Sequence, residues 1–407
     1  MGSGALIELI SRGKQDIPLI GNPQLSFFKT VYHRYTNFTM EPIRNVFNET
    51  PDFGRKSTCY IDRKGDLLHQ MYLEIELPAL ATNISWVNGI GNQIIKSVEL
   101  HIGGECIDKI SGRSLDVYQE LTTPFGIKKS YYDMIGKFFT YNKNTNTGTQ
   151  YLYVFLPFWF CRDISRALPL INLSNNSVSV IVEFEQFYEC WYKRIGESTP
   201  WDTSNQVHIT NVSLLCTYIY LDMYERKKLL TIGKREFLIE QFQEPATVSI
   251  YDNQPSIMID LFLNHCVKEI IWFYQSEKAN TNNDTNNYGN ILNYNTLNET
   301  VTKPLSTISL KYNGNDRFME MYSKYFSSVQ IFQSHTCSPE NYIYLYSFAI
   351  NPEINQPCGT CNFSKIDDIK MNMTFTDNIL EGNIYILAVN YNILRIDKGM
   401  GGLLFSS

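Results

Sequence analysis

The feature that most constrains the fold is an alternation of apolar and polar residues with a period of two. In HQMYLEIELP the apolar residues that share one side of an extended chain are Met71, Leu73, Ile75 and Leu77. The same alternation occurs at residues 96–102, 177–185 and 209–220. Such patterns predict antiparallel strands with one buried face, and many of them separated by turns predict β-sandwiches.

Three elements occur twice in the same order, which predicts two tandem copies of one sandwich. The first pair is a strand, a glycine turn and a return strand, at Ser97–Asp108 and Ile308–Met319. The second is an apolar strand entering a proline-containing bend, at Tyr151–Cys161 and Asn341–Pro352. The third is a final strand, at Ser213–Asp222 and Asn383–Ile396. The charged stretch YERKKLLTIGKRE separates the copies, so the predicted domains are residues 1–223, a connection at 224–236, and residues 237–407.

Two short helices are predicted between strands. One covers Ser114–Leu121, with Ser114 as its N-cap. The other lies in GNPQLSFFKTVYHRYTNF, where Asn22 and Pro23 resemble an N-cap and a first helical residue. Its aromatic residues at helical spacing are Phe28, Tyr32 and Tyr35. We expect these rings to be buried, and a strand to follow from Thr36.

Two polar, asparagine-rich tracts, Tyr141–Gln150 and Ala279–Thr300, predict long exposed loops. The second is expected on the outer surface of the C-terminal sandwich, because burying so many amide groups would require many partners. The tail KGMGGLLFSS combines a glycine turn with Leu403, Leu404 and Phe405. Three large apolar side chains predict a docked terminus.

Charge, apolar runs and cysteine content argue against several classes of protein. The formal net charge is −6, whereas a protein that coats nucleic acid is usually basic. No run of about 18 apolar residues occurs, so no transmembrane helix is expected. The N-terminus carries no basic segment before its apolar patch and does not resemble a signal peptide. Nine scattered cysteines suit free thiols in a reducing compartment.

No motif predicts catalysis or cofactor binding. Cys358 and Cys361 form a C-x-x-C without a second ligand pair, which predicts a turn with two incidental thiols. Gly89–Ile94 (GIGNQI) lacks the third glycine of a dinucleotide motif and is expected between strands, not before a helix. Glu74 and Glu76 are two apart on a strand, which predicts a solvent face and not a glycosidase pair.

The six histidines are isolated in the sequence: His33, His69, His101, His208, His265 and His335. Without ligand spacing, most are expected to hydrogen-bond within strands or loops. The sequence therefore predicts a protein that is not an enzyme and has no catalytic, cofactor-binding or metal-ligating residues.

Nine stretches in order resemble the double jelly-roll major capsid proteins of nucleocytoplasmic large DNA viruses. They include GNPQLSFFKTVYHRYTNF, GDLLHQMYLEIELP, IIKSVELHIGGECID, LPFWFCRDISRALPLINL and LYSFAINPEINQPCGTCNFSKID. The resemblance implies an all-β fold of two eight-stranded antiparallel jelly rolls with short helices in the loops. It also implies a homotrimer that forms a pseudo-hexagonal capsomer of an icosahedral shell.

The same resemblance implies a virion protein assembled in the host cytoplasm. Minor capsid proteins beneath the shell and a nearby internal membrane are implied neighbours, without sequence-specific contact to nucleic acid. Two alternatives remain open at this point. One is a minor capsid or scaffolding paralogue, which copy number in purified virions would distinguish. The other is a carbohydrate-binding or glycan-hydrolysing jelly roll, which an acid pair in a concave face would favour.

Overall fold

The protein is described by a computed structural model. The structure describes residues 3–81, 84–138, 148–193, 207–231, 233–277, 292, 303–339 and 342–405. The chain divides into two compact units, Met1–Asn37 and Phe38–Ser407. We call the first unit the arm.

The arm contains two helices, α1 (Ser3–Ile10) and α2 (Ile17–Ile20). The helix predicted after Asn22 is absent, because residues 21–37 form neither helix nor strand. Asn22 has a φ of 52°, outside the helical region. The rings predicted to be buried are exposed, by 102% for Phe28, 87% for Tyr32 and 85% for Tyr35. Helical spacing alone does not form a short helix, because an isolated helix of this length is marginal in water.

Ten strands lie in the described residues of the N-terminal half of the second unit. They are β1 (Phe38–Val46), β2 (Lys56–Tyr60), β3 (Leu67–Leu77), β4 (Ile84–Trp86), β5 (Ile95–Ile102), β6 (Glu105–Ser111), β7 (Gln150–Phe155), β8 (Val178–Phe184), β9 (Trp191–Lys193) and β10 (Asn211–Leu221). Its α-helices are α3 (Ile90–Gln93), α4 (Gly112–Thr122), α5 (Phe125–Ile135) and α6 (Trp159–Arg162). Short 3₁₀ turns occupy Ile164–Arg166, Leu170–Asn172 and Phe187–Glu189.

Helix α7 (Met223–Thr231) leads into the C-terminal half. Its strands are β11 (Arg235–Gln243), β12 (Val248–Ile250), β13 (Ser256–Asp260), β14 (Cys266–Ser276), β15 (Leu305–Tyr312), β16 (Asn315–Tyr322), β17 (Ile343–Ser347), β18 (Cys361–Asn362), β19 (Ile369–Phe375), β20 (Gly382–Asp397) and β21 (Met400–Leu403). A π-helical turn at Tyr325–Val329 runs into α8 (Gln330–Ser334), and Phe363–Lys365 forms a 3₁₀ turn.

Both halves have the same sheet topology. In the N-terminal half the two four-stranded sheets have the orders β1-β10-β3-β7 and β2-β8-β5-β6. In the C-terminal half the corresponding orders are β11-β20-β14-β17 and β13-β19-β15-β16, with β12, β18 and β21 added to the first of these sheets. The strands correspond one to one in chain order. Each half is therefore an eight-stranded antiparallel jelly roll, and the predicted double jelly roll is confirmed.

The repeated elements found in the sequence occupy equivalent places in the two jelly rolls. The glycine-turn pair corresponds to β5–β6 and β15–β16, the strand before the bend to β7 and β17, and the final strand to β10 and β20. The correspondence predicted from chain order is thus confirmed, although few residues are identical.

Burial follows the predicted alternation. Along β3 the four apolar residues Met71, Leu73, Ile75 and Leu77 are at most 1% exposed, while Tyr72, Glu74 and Glu76 are half-buried. Strand β10 pairs with β3, and Leu214 lies opposite Leu73. Burying one such side chain contributes about 1.5–3 kcal/mol. A one-residue slip of register would move every buried side chain to the wrong face, so this pattern fixes the pairing.

Two helical predictions need correction. Helix α4 begins before Ser114, and its N-cap is Ser111, whose hydroxyl accepts from the Ser114 backbone N–H at 3.3 Å. Gly89 does precede a helix, because α3 starts at the next residue. Gly89 has a φ of 71°, which ends the preceding extended segment. All four residues of α3 are buried, so the loop presents no phosphate-binding surface.

The asparagine-rich tracts fall largely outside the described residues. Of Ala279–Thr300 only Leu292 is described, and it is fully buried in the core cluster that contains Ile90 and Leu121. The prediction that this segment is an exposed loop is therefore wrong at Leu292. Among the described residues, no helix is both long and apolar enough to cross a bilayer.

Candidate functional site

We call the contacts between the two jelly rolls the seam. One part of the seam is apolar packing shared by both halves. A single buried cluster contains Leu152 and Val154 of the N-terminal half together with Phe242 and Leu387 of the C-terminal half. The Tyr118 and Phe242 rings meet edge to face, with centroids 5.0 Å apart. Because one core crosses the seam, the two jelly rolls cannot turn against each other without exposing apolar surface.

Buried charges hold the same seam. Glu240 on β11 is 1% exposed and accepts hydrogen bonds from Arg162 at 2.6 Å, Arg166 at 3.1 Å and Lys268 at 2.8 Å. Burial acts to raise its pKa, but the attraction of the three cations outweighs burial and lowers the pKa of Glu240 to about 2. Lys268 also donates to the Pro352 carbonyl at 2.7 Å. Glu240 therefore stays ionised and links both jelly rolls.

A buried histidine joins α8 to the core of the C-terminal half. The His335 side chain is 0% exposed, with Nε2 2.9 Å from Glu269 and Nδ1 3.1 Å from Glu353. Burial alone would lower its pKa, but the two carboxylates raise the pKa of His335 to about 9. The imidazolium thus donates from both nitrogens at neutral pH.

The tail crosses back to the N-terminal half. Lys398 and Gly399 form a turn with positive φ between β20 and β21. The Asn175 backbone N–H donates to the Gly399 carbonyl at 2.9 Å, and Asn176 Nδ2 donates to the Gly401 carbonyl at 3.0 Å. Docking of the tail through strand pairing is confirmed. The expected burial of its last ring is wrong, because Phe405 is 53% exposed.

The helical insert of the N-terminal half has its own buried ion network. Glu120 on α4 pairs with Lys128 at 2.6 Å and with Lys137 at 2.7 Å, and Lys137 also contacts Asp116 at 3.0 Å. The Lys128 Nζ atom lies 3.8 Å from the Cys337 sulfur of the C-terminal half. Helices α4 and α5 are therefore held together and placed against the neighbouring jelly roll.

A cavity of about 530 Å³ opens at the seam. Its walls include Tyr72, Tyr131, Phe155 and Ile127, with Arg162 and Glu353 as the charged lining residues. Glu353 is already bound to His335, which together with hydrogen bonds from Thr336 lowers the pKa of Glu353 despite burial. A carboxylate with a lowered pKa does not serve as a general acid, so this cavity does not support glycan hydrolysis.

Large apolar side chains are exposed on several surfaces. In the arm they include Leu19, Leu25, Phe27 and Phe28, in addition to Tyr32 and Tyr35. On the body, Phe125, Phe262, Phe332 and Ile350 are each at least 79% exposed. Monomeric proteins rarely expose many such groups, so these surfaces are candidates for contacts with other chains.

Glu74, which was predicted on a solvent face, is half-buried, with a side chain 19% exposed. Arg44 binds Glu74 through two nitrogens, at 2.6 and 2.7 Å, and this contact lowers the pKa of Glu74 to about 2. Ser213 and Tyr153 also donate to the same carboxylate, at 2.7 and 2.9 Å. The carboxylate is thus fully engaged in the sheet.

The cysteines are free thiols, as expected. All nine are unpaired, and the buried ones are Cys59, Cys161, Cys190, Cys216 and Cys337. Cys358 contacts the Asn351 backbone at 3.1 and 3.2 Å, and Cys361 lies 3.8 Å from the Tyr312 hydroxyl. The C-x-x-C pair therefore has local backbone and side-chain partners.

Of the described histidines, four have the partners that the sequence analysis expected. His69 contacts the Phe160 carbonyl at 2.7 Å, and His208 contacts Asp52 at 2.6 Å. His335 and His101 lie beside carboxylates. The Nε2 of His265 is buried without a hydrogen-bond partner in the structure.

Sequence reasoning did not find the seam residues. Arg162 and Glu240 are 78 positions apart, and neither belongs to a local motif. The one available signal is a charged residue inside an otherwise strand-like run, as in FLIEQFQ, where Glu240 interrupts apolar neighbours. A charge placed on a buried face requires a partner.

Almost the whole chain resembles known proteins. Residues 26–222 match the family model described as the major capsid protein N-terminus, and residues 225–402 match that of the large eukaryotic DNA virus major capsid protein. The major capsid protein of Pyramimonas orientalis virus is 35% identical, with 99% of this chain and 100% of that protein covered. That of Paramecium bursaria Chlorella virus 1 is 32% identical over 100% of both chains.

A similar solved structure is a chain of the quasi-atomic model of the PBCV-1 virus capsid. It superposes with a TM-score of 0.81 at 28% identity, and covers 94% of this chain and 100% of its own.

Proposed function

This chain belongs to the family of major capsid proteins of large eukaryotic DNA viruses, which form viral capsids, and we propose that it acts as a homotrimer. Three copies bring together six jelly rolls of one topology, so that the trimer approximates a hexagonal block. Such blocks tile a closed icosahedral shell through repeated contacts between neighbours. The observation that carries this proposal is the duplicated strand order on either side of one shared core.

The rigid seam supports the proposal. A block that tiles must hold its two jelly rolls in one relative position, since each trimer has to present the same outline. The buried contacts of Glu240 and the docked tail do this within one chain. Weak contacts repeated over many blocks then suffice to hold a shell.

Exposed apolar surface supports self-association. The aromatic residues of the arm and the exposed body residues, such as Phe332, would be covered when other copies bind. We propose that other copies of this chain cover them. Minor capsid proteins beneath the shell, proximity to an internal membrane and assembly in the host cytoplasm remain proposals drawn from the family resemblance.

The test is the mass of the purified full-length protein. Three chains of 47.2 kDa give about 142 kDa by light scattering across a range of concentrations. A stable monomer throughout that range would contradict the trimer. Copy number in purified virions separates a principal shell protein, present in thousands of copies, from a minor paralogue.

A further inference from the structure

The hairpin of β5 and β6 brings three potential metal ligands together on one face. Its turn consists of Gly103 and Gly104, with φ values of 63° and 89°, which allow a tight two-residue connection. His101 lies directly opposite Cys106 in the ladder. Glu99 precedes His101 by two residues and lies on the same face, so a carboxylate, an imidazole and a thiol converge.

We propose that Glu99, His101 and Cys106 bind one divalent transition-metal ion of the Zn²⁺ type. Their donor atoms all lie within 4.8 Å of one another. Around tetrahedral zinc, donor atoms stand about 3–4 Å apart, so small side-chain rotations close the site. A mixed nitrogen, sulfur and oxygen set suits zinc better than magnesium or calcium, and a water molecule would complete four-fold coordination.

The surroundings already orient two of the three ligands. His101 Nδ1 lies 3.4 Å from the Gly104 carbonyl oxygen, and a proton on Nδ1 leaves Nε2 free to bind metal. Lys109 donates to Glu99 Oε1 at 3.0 Å, while Oε2 faces His101 Nε2 at 3.0 Å. A metal ion would therefore replace the Glu99–His101 hydrogen bond and keep the Lys109 contact.

A second lysine, Lys56, competes only weakly with a metal ion for the Glu99 carboxylate. Lys56 Nζ is 3.5 Å from Glu99 Oε2, and its side chain is 51% exposed. It can move into solvent when a cation binds the carboxylate. The His101 and Glu99 side chains are 16% and 12% exposed, which leaves a path for the ion while limiting hydration.

Binding would displace the thiol proton. The metal binds the thiolate and the proton goes to solvent. The bound ion would stiffen a hairpin that also holds the tail, since the Leu403 N–H donates to Glu105 at 3.2 Å.

The test uses Co²⁺ with the metal-free, full-length protein under reducing conditions. We expect one Co²⁺ per chain and a thiolate-to-cobalt absorption band in the near ultraviolet. Cys106→Ser should abolish the band, and His101→Gln should weaken Zn²⁺ binding at least tenfold. Cys358→Ser is the matched control and should change neither. Absence of the band in the unmodified protein, its survival in Cys106→Ser, or its loss in Cys358→Ser would overturn the proposal.

A second measurement needs no variant and so does not depend on variant folding. Zn²⁺ should slow alkylation of Cys106 at least tenfold, as read by peptide mass spectrometry, while alkylation of Cys358 is unchanged. Equal rates at Cys106 with and without Zn²⁺ would reject the site even if the substituted proteins fail to fold.

Discussion

Glu240 shows how one residue can control the contact between two jelly rolls. Its carboxylate is buried with three cations, two from the N-terminal half and one from its own half. Replacing a buried ion cluster as a whole can be nearly neutral, but removing one member leaves unpaired charge in an apolar environment. Substituting Glu240 therefore lowers stability chiefly because the positive charges of Arg162, Arg166 and Lys268 lose their shared counter-ion.

We predict that Glu240→Gln destabilises the protein by about 3–5 kcal/mol, because the buried Lys268 and the two half-buried arginines lose their counter-charge. Glu236→Gln is the matched control on the same strand. Glu236 pairs with Arg395 and Lys234 at the surface, where such pairs contribute about 0–1 kcal/mol. Urea denaturation midpoints should fall strongly for the first variant and little for the second. Equal midpoints would show that water solvates the seam.

His335 makes stability depend on pH. Its folded pKa is about 9, above the usual 6.5, so the charged form is favoured in the folded protein. This contribution is fully present below pH 6.5 and is lost as pH rises through 9, and it amounts to about 3 kcal/mol. Melting temperature should therefore fall between pH 6.5 and 9, and His335→Gln should flatten that part of the curve.

The control for this pH effect is His208→Gln, at a histidine whose side chain is 64% exposed. It should retain the fall in melting temperature between pH 6.5 and 9. If His335→Gln shows the same slope as the unmodified protein, another group is responsible for the pH dependence.

At the scale of elements, strands were predicted more securely than helices: α4 was found with the wrong N-cap, and the helix expected after Asn22 is absent. Period-two burial is a local property, so strands such as β3 and β8 could be read from their own residues. The predicted start of α4 was displaced because Ser114 was taken as the N-cap. The actual N-cap, Ser111, is also the last residue of β6, so the sequence pattern assigned it to the strand. The helix predicted in the arm was wrong because the spacing of its aromatic residues matches a helical period by itself. A helix this short is only marginally stable without tertiary packing.

The close packing around Gly112 gives a prediction at this scale. A Cβ on Gly112, the first residue of α4, would lie 2.1 Å from the Ile95 carbonyl oxygen and 2.3 Å from that of Asn92. Both are backbone atoms and cannot move easily. We expect Gly112→Ala to displace α4 from β5 and destabilise the protein by about 1–3 kcal/mol or more, as overpacking does.

Gly126→Ala is the comparison, because a Cβ at this position in α5 has no atom within 4 Å. Alanine there should be neutral or stabilise by up to about 1 kcal/mol, since it reduces the freedom of the unfolded chain. Thermal melts of both variants test the pair. A neutral Gly112→Ala would mean that α4 can shift without cost.

At the scale of the whole molecule, the double jelly roll was predictable from the repeated chain order of its strands. The contacts of the seam were not. Repeated elements reveal that two sandwiches exist because each repeats its own local pattern. The contacts between them join positions far apart, such as Arg162 and Glu240 or Asn176 and Gly401, which are 225 residues apart. The proposed metal ligands were not recognised in the sequence for a related reason, since His101 and Cys106 become neighbours only when the hairpin closes.

Charge separates the arm from the rest of the chain. The arm carries four basic residues (Arg12, Lys14, Lys29, Arg34) and two acidic ones (Glu8, Asp16), a net of +2. The whole chain is −6, so the remaining residues carry −8. If the arm binds an acidic surface, as the proposed assembly would allow, that contact should weaken as salt is added.

We predict that replacing Phe27, Phe28, Tyr32 and Tyr35 by serine weakens self-association while the body stays folded. These rings are at least 85% exposed, so the substitutions remove no buried side chain. The concentration for half-dissociation should rise at least tenfold, measured by sedimentation, because buried aromatic anchors dominate interface energies. Tyr251→Ser, at an exposed body residue, is the control and should change nothing. Unchanged association with an unchanged melting temperature would show that these four rings do not contribute to contacts between copies of this chain.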